Sequence, residues 1–248
     1  MTIAANNKVE NHFFAKTRDL TPPSARQAVK VLFAPVSGHS EVSAFCASLL
    51  SKTELQQMQR MGDAGLRALF AQRRAFRRFC AATAQDSCQP LSAIVFEQTD
   101  KGRPYLGDAP ELWFSFSSCR FGMLGAWSSS CAVGVDIEDR TREVEVLALA
   151  RQFFSAAEAA AIAAVSRPSR LQTFYQLWSL KEAALKSIGQ GMPFGLDAFE
   201  FELLPSVRFV DTPAAYGGSE QFCAHEIALT NMSSALVTRD AAVATSGR

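Results

Sequence analysis

Val133-Gly134-Val135-Asp136-Ile137-Glu138 is the stretch from which the rest of this chain is read. Its strict alternation is the period of a β-strand with two unlike faces. Val133, Val135 and Ile137 share one face. Asp136 and Glu138 share the other, roughly 6.5–7 Å apart by strand rise. Two carboxylates on one strand face repel unless something neutralises them. Solvent does this on an ordinary polar face. A hard divalent cation does it by taking carboxylate oxygens. Leu112–Ser117 reads as a strand upstream. Phe121–Trp127 and Cys131–Glu138, separated by serines, read as an antiparallel hairpin. Val29–Val36 reads as the first strand.

Helical signals surround these strands. Ser51 followed by Glu54 has capping-box spacing, as does Ser155 followed by Glu158. Residues 64–84 carry Leu66, Leu69, Phe70, Phe76, Phe79 and Cys80 near helical spacing. Arg67, Arg74 and Arg78 fall on one edge of that helix. The edge is either a solvated face or an anion-binding ridge. Val144–Phe154 is amphipathic, and a long helix is expected over about 170–188, ended by Gly189-Gln190-Gly191. Strands are expected again at 199–204, 207–210, 221–229 and 234–238. This order gives an α+β protein. Residues 1–28, polar and carrying Thr21-Pro22-Pro23, are expected to be a tail or arm.

Composition narrows the function. With 48% hydrophobic and 20% charged residues the chain is globular. A formal net charge of +1 gives no global pull toward nucleic acid or an anionic membrane. No stretch approaches a membrane span, and no charged leader precedes an apolar core, so a cytoplasmic protein is expected. The cysteines, none spaced C-x-x-C, read as reduced thiols. With only three histidines, chemistry is expected from carboxylates, a metal or lysine.

A second motif is Trp178-Ser179-Leu180-Lys181-Glu182-Ala183-Ala184-Leu185-Lys186. Glu182 and Lys186 are one helical turn apart. They form either a surface ion pair or a metal carboxylate beside a phosphate-contacting ammonium. VGVDIE, then FFSAAE, then LWSLKEAALK together resemble the 4′-phosphopantetheinyl transferases, in their long single-chain class. The resemblance runs from about Leu50 to Phe201.

The resemblance implies two similar α/β halves related by pseudo-twofold symmetry, with the active site in the cleft between them. Residues 29–120 would bind coenzyme A phosphates and residues 121–248 would hold the metal and catalytic groups. It implies Mg²⁺-dependent transfer of 4′-phosphopantetheine from coenzyme A to a serine of an acyl or peptidyl carrier protein, releasing 3′,5′-ADP. Asp136, Glu138 and Glu182 would bind Mg²⁺, and Lys186 would contact phosphate and assist the leaving group. Glu158 matches a glutamate proposed as general base, although a capping box also explains it, and a metal-bound water is the alternative. Coenzyme A would be held by Arg67, Arg74, Arg78, Lys101, Arg103, Pro104, Ser117, Ser118, Lys181 and Lys186. Ser118 stands where the family has a histidine, and Arg120 is one group that could compensate. A monomer is expected, with no nucleic acid or membrane partner. The other readings are a non-catalytic relative that binds coenzyme A or a carrier protein, and another Mg²⁺-dependent phosphoryl or nucleotidyl transferase.

Overall fold

A computed structural model of the chain describes residues 13–25 and 28–240. The elements run β1 (Arg18–Asp19), β2 (Val29–Pro35), α1 (Ser40–Ser48), α2 (Lys52–Gln59), α3 (Ala64–Gln85), β3 (Phe96–Gln98), β4 (Pro104–Leu106), β5 (Trp113–Ser118), β6 (Gly122–Ser128) and β7 (Cys131–Asp139). Then follow α4 (Val146–Phe153), α5 (Ala156–Ala164), α6 (Arg167–Ser187), β8 (Glu200–Glu202), β9 (Arg208–Asp211), β10 (Phe222–Glu226) and β11 (Met232–Asp240). The mixed α+β class is as expected.

Two antiparallel sheets carry the architecture, one ordered β1-β2-β6-β5 and the other β10-β11-β7. Alternation along the strands sorts side chains into three cores. Met123 and Trp127 of β6 pack with Phe76 and Cys80 of α3, while Leu124 and Ala126 face the second sheet. Val133, Val135 and Ile137 of β7 meet Leu124, Val31 and Leu236 in that inter-sheet core. Ala235 and Val237 of β11 pack on the other side with Leu180 and Ala183 of α6. The order is therefore helix, sheet, sheet, helix. Each fully buried large side chain, such as Phe76 or Phe174, contributes roughly 1.5–3 kcal/mol by leaving water.

One expectation changes. The hairpin is formed by β5 and β6, not by β6 and β7. Cys119 N–H donates to Gly122 O and closes that turn. After β6, Ser128 Oγ accepts from the N–H groups of Ser130 and Cys131, turning the chain out of the first sheet. β7 then pairs with β11 in the second. Because β6 lies between β2 and β5, the first sheet runs as far as Ser128. The described part of the expected arm is docked: Phe13 and Phe14 are buried, and Phe14 stacks on Phe79 at 4.1 Å. Residues 1–12 and 26–27 lie outside the described residues.

Proline decides one helix boundary. The helix α6 starts at Arg167, and Pro168 sits in its first turn, where no backbone N–H is needed.

Candidate active site

Gly134 brings the two motifs together. A Cβ there would lie 1.9 Å from Ala183 O and 2.5 Å from Ser187 N. Only glycine lets α6 approach β7 this closely. The approach sets Lys186, near the end of α6, against Asp136 on β7. Lys186 Nζ donates to Asp136 Oδ1 at 2.6 Å, and lies 3.8 Å from Glu182 Oε2. Ser117 Oγ on β5 donates to the same Asp136 Oδ1 at 2.7 Å. The strand carrying Ser117 is tied to β7 by a side chain: Ser115 Oγ accepts from Val135 N–H at 3.0 Å.

The cluster is electrostatically tense. Asp136 is buried, and its Oδ2 has no hydrogen-bond partner. Burial and the neighbouring Asp136 charge push Glu138 up to about 7, against the pull of Lys186. Burial raises Glu182 as well, again opposed by Lys186. Burial disfavours the charge on Lys186, but Asp136 and Glu182 outweigh it and hold the ammonium above its usual pKa. Among the described residues no three His, Cys, Asp or Glu side chains already stand in a metal-holding arrangement. The Lys186 ammonium supplies the counter-charge instead. The donor set nonetheless fits a hard cation: it is all carboxylate oxygen, and one buried oxygen is bare.

Two cavities adjoin the cluster. One, of about 210 Å³, is lined from the first half by Arg77, Lys101, Arg103 and Pro104, and from the second by Glu182, Lys186 and Gly189. The Arg103 guanidinium stacks over Trp113 at 3.9 Å. The other, of about 280 Å³, is lined by Arg73, Arg77, Phe116, Ser117, Ser118 and Met123. Arg103, Lys101, Pro104, Ser117, Ser118, Glu182 and Lys186 are thus brought to one region, beside Asp136.

The arginines of α3 divide between two settings. Arg74 and Arg78 turn to Glu54, at 3.4 and 2.7 Å, and Arg78 is buried by that pairing. Arg67 donates to Met61 O and Gly62 O, closing the turn before α3. Arg73 and Arg77 face the cavities instead. Burial, then the charges of Arg74 and Arg73, lower Arg77 to about 10. Arg73 Nε is buried without a hydrogen-bond partner. Sequence reading missed both residues. Their i, i+4 spacing was visible, but which edge Glu54 would claim was not.

Lys181 and Glu158 lie away from Asp136 and from both cavities. Lys181 is fully buried on the far side of α6, donating to Leu196 O at 3.1 Å and to Phe199 O. Its Nζ lies 2.6 Å from Glu158 Oε2. That oxygen also accepts from Ser155 N–H at 3.0 Å, and Oε1 accepts from Phe201 N–H at 2.9 Å. The capping box is present, and both carboxylate oxygens are engaged. Arg120 is engaged too, with Asp139 at 2.7 Å and with Thr141.

Residues 132–240 match the sequence model of the 4′-phosphopantetheinyl transferase superfamily. The matched stretch contains Asp136, Glu138, Glu182 and Lys186. The 4′-phosphopantetheinyl transferase psf-1 of Bacillus pumilus is 35% identical over 116 residues, which is 46% of this chain and 48% of that protein. The 4′-phosphopantetheinyl transferase Sfp of Bacillus subtilis is 33% identical over 112 residues, 45% of this chain and 49% of that protein. The L-aminoadipate-semialdehyde dehydrogenase-phosphopantetheinyl transferase of Xenopus laevis is 32% identical over 127 residues, 47% and 42% of the two chains. The chain spans about half the length of these curated relatives.

Proposed function

We propose that this chain transfers 4′-phosphopantetheine from coenzyme A to a carrier-protein serine. One observation carries the reading: a buried carboxylate–lysine cluster opens onto a cavity walled by arginine and lysine from the other half. Coenzyme A is an anion with a phosphate and a pyrophosphate. Arginines and lysines that line a cavity suit both.

In this reading Arg73, Arg77, Lys101 and Arg103 hold the phosphates. Ser118 brings no charge where the family has a histidine, and Arg73 and Arg77 line the same cavity and supply it. Asp136, Glu138 and Glu182 would hold Mg²⁺, which would supply neutralisation of the charge that builds on the pyrophosphate. Lys186 moves its ammonium from Asp136 to the leaving phosphate. The serine proton would leave to a water at the cavity wall beside these carboxylates. Glu158 and Lys181 support the fold.

The recurrence of a long helix on the outer face of each sheet supports the pseudo-twofold relation, with the site in the cleft. The carrier protein, acidic by family habit, is the macromolecular partner. Among the described residues no helix is long and apolar enough to cross a membrane. A cytoplasmic monomer acting without nucleic acid is part of the same proposal.

The test is the intact mass of an apo carrier protein incubated with this protein, coenzyme A and Mg²⁺. A gain of one phosphopantetheine unit, lost with EDTA, is the expected result. Coenzyme A binding with no transfer to several carrier proteins would leave a non-catalytic relative. Transfer from a nucleoside triphosphate instead would make it another Mg²⁺-dependent transferase.

A further inference from the structure

Asp136 uses its two oxygens differently. Oδ1 accepts from both Ser117 Oγ and Lys186 Nζ, whereas Oδ2 is buried and bare. A bare buried carboxylate oxygen is costly, and something must keep the side chain turned that way. Proton counting shows what Ser117 contributes. A hydroxyl has one hydrogen to donate, an ionised carboxylate only accepts, and an ammonium only donates. The Ser117 hydrogen therefore goes to Asp136, and its lone pair receives Lys186 Nζ at 3.3 Å. The Ser117 hydroxyl then has no hydrogen left to donate to a phosphate. Its backbone is fixed as well, because Ser115 ties β5 to Val135, the residue before Asp136.

We propose that Ser117 is a positioning residue for the metal rather than a coenzyme ligand. With Lys186 it holds Oδ1 and so presents Oδ2 to the cation that Asp136, Glu138 and Glu182 would share. The proposal rests on the transferase reading for the presence of that cation. When Lys186 moves to the phosphate, the Ser117 hydroxyl is the contact that remains to keep Asp136 oriented. Outer contacts of this kind are worth about 10- to 100-fold in metal affinity.

The test is titration with Mn²⁺ alone, followed by electron paramagnetic resonance of the free ion, and separately titration with 3′,5′-ADP in EDTA. Ser117→Ala is expected to weaken Mn²⁺ binding about 10- to 100-fold and to leave 3′,5′-ADP affinity unchanged. Ser117→Thr, which keeps the hydroxyl, should restore Mn²⁺ binding. Ser117→Cys, a weaker donor of similar size, serves the same purpose should the alanine variant not fold. Wild-type Mn²⁺ affinity in Ser117→Ala or Ser117→Cys overturns the proposal. So does a loss of 3′,5′-ADP affinity with Mn²⁺ binding intact, which would make Ser117 a phosphate ligand. Wild-type protein that binds 3′,5′-ADP but no Mn²⁺ also overturns it, while the coenzyme reading stands. Mn²⁺ binding without any coenzyme A or 3′,5′-ADP binding defeats the transferase reading, and the Mn²⁺ titration of the variants still decides the role of Ser117.

Discussion

Glu158 and Lys181 form a buried ion pair, 2.6 Å between Oε2 and Nζ, with side chains 2% and 0% exposed. The first half has a counterpart. Glu54 closes the capping box of α2 with Ser51 and then pairs with Arg78 on the long helix α3, at 2.7 Å. Glu158 closes the capping box of α5 with Ser155 and then pairs with the long helix α6. In both places a short helix is pinned to a long one by a glutamate that serves cap and cation together. A device that recurs away from the carboxylate cluster is structural in origin.

Glu158→Gln is therefore predicted to cost stability rather than chemistry. Breaking one partner of a buried pair costs about 3–5 kcal/mol, since the remaining charge is left uncompensated. For a domain of this size that is about 6–20 °C in melting temperature. Turnover per folded molecule should stay near wild type. Thermal denaturation beside single-turnover transfer at low temperature checks both parts; a lost rate with an unchanged melting temperature would return Glu158 to the role of general base.

Glu54 gives a pH prediction. Burial pushes its carboxyl up, but hydrogen bonds from Arg78 and Ser51 and the charges of Arg78 and Arg74 together outweigh that and lower it below 4.5. The unfolded chain then binds a proton at higher pH than the folded one. The stabilisation is complete above the unfolded value and disappears as pH falls through the folded one. Urea midpoints of wild type and Glu54→Gln should differ at pH 7 and converge in acid. A constant difference across that range would mean that the pair contributes by packing alone.

The strand with paired carboxylates, the capping boxes and the long helix carrying Glu182 and Lys186 were legible because each is local. Period, cap and turn chemistry act within a few residues. What sequence could not reach was pairing between distant elements. Which arginine edge faces the cavities depends on Glu54 pairing with Arg74 and Arg78, a contact between two helices. The hairpin was assigned to the wrong strands because the serines after β6 were read as a turn that kept both strands in one sheet. Lys181 was a candidate by resemblance alone; neighbours on a helix point about 100° apart, so with Glu182 toward Lys186, Lys181 faces the Glu158 side.

The division of the arginines can be tested by a pair of variants. Arg77→Ala should weaken 3′,5′-ADP binding by about 10- to 150-fold, the worth of a charge-assisted hydrogen bond. Arg74→Ala should leave that affinity within about twofold and lower the melting temperature slightly, because Glu54 keeps the shorter pair with Arg78 when the 3.4 Å contact to Arg74 is lost. Isothermal titration in EDTA, with circular dichroism as a check on folding, separates the two. The opposite ranking would restore the ridge read from the sequence.

Gly134→Ala tests whether the closeness of α6 and β7 makes the site. The added Cβ would meet Ala183 O and Ser187 N, both backbone atoms that cannot rotate away. The helix must shift outward, at a cost of about 1–3 kcal/mol or more. Glu182 and Lys186 ride on that helix, so they withdraw from Asp136 together. Activity should fall by far more than the fraction unfolded, while 3′,5′-ADP, held by Arg73 and Arg77 on the other half, should bind nearly as before. An alanine variant with full activity would show that the helix gives way without moving Lys186, and the cluster would then be set by the Asp136–Lys186–Ser117 contacts and not by the backbone approach.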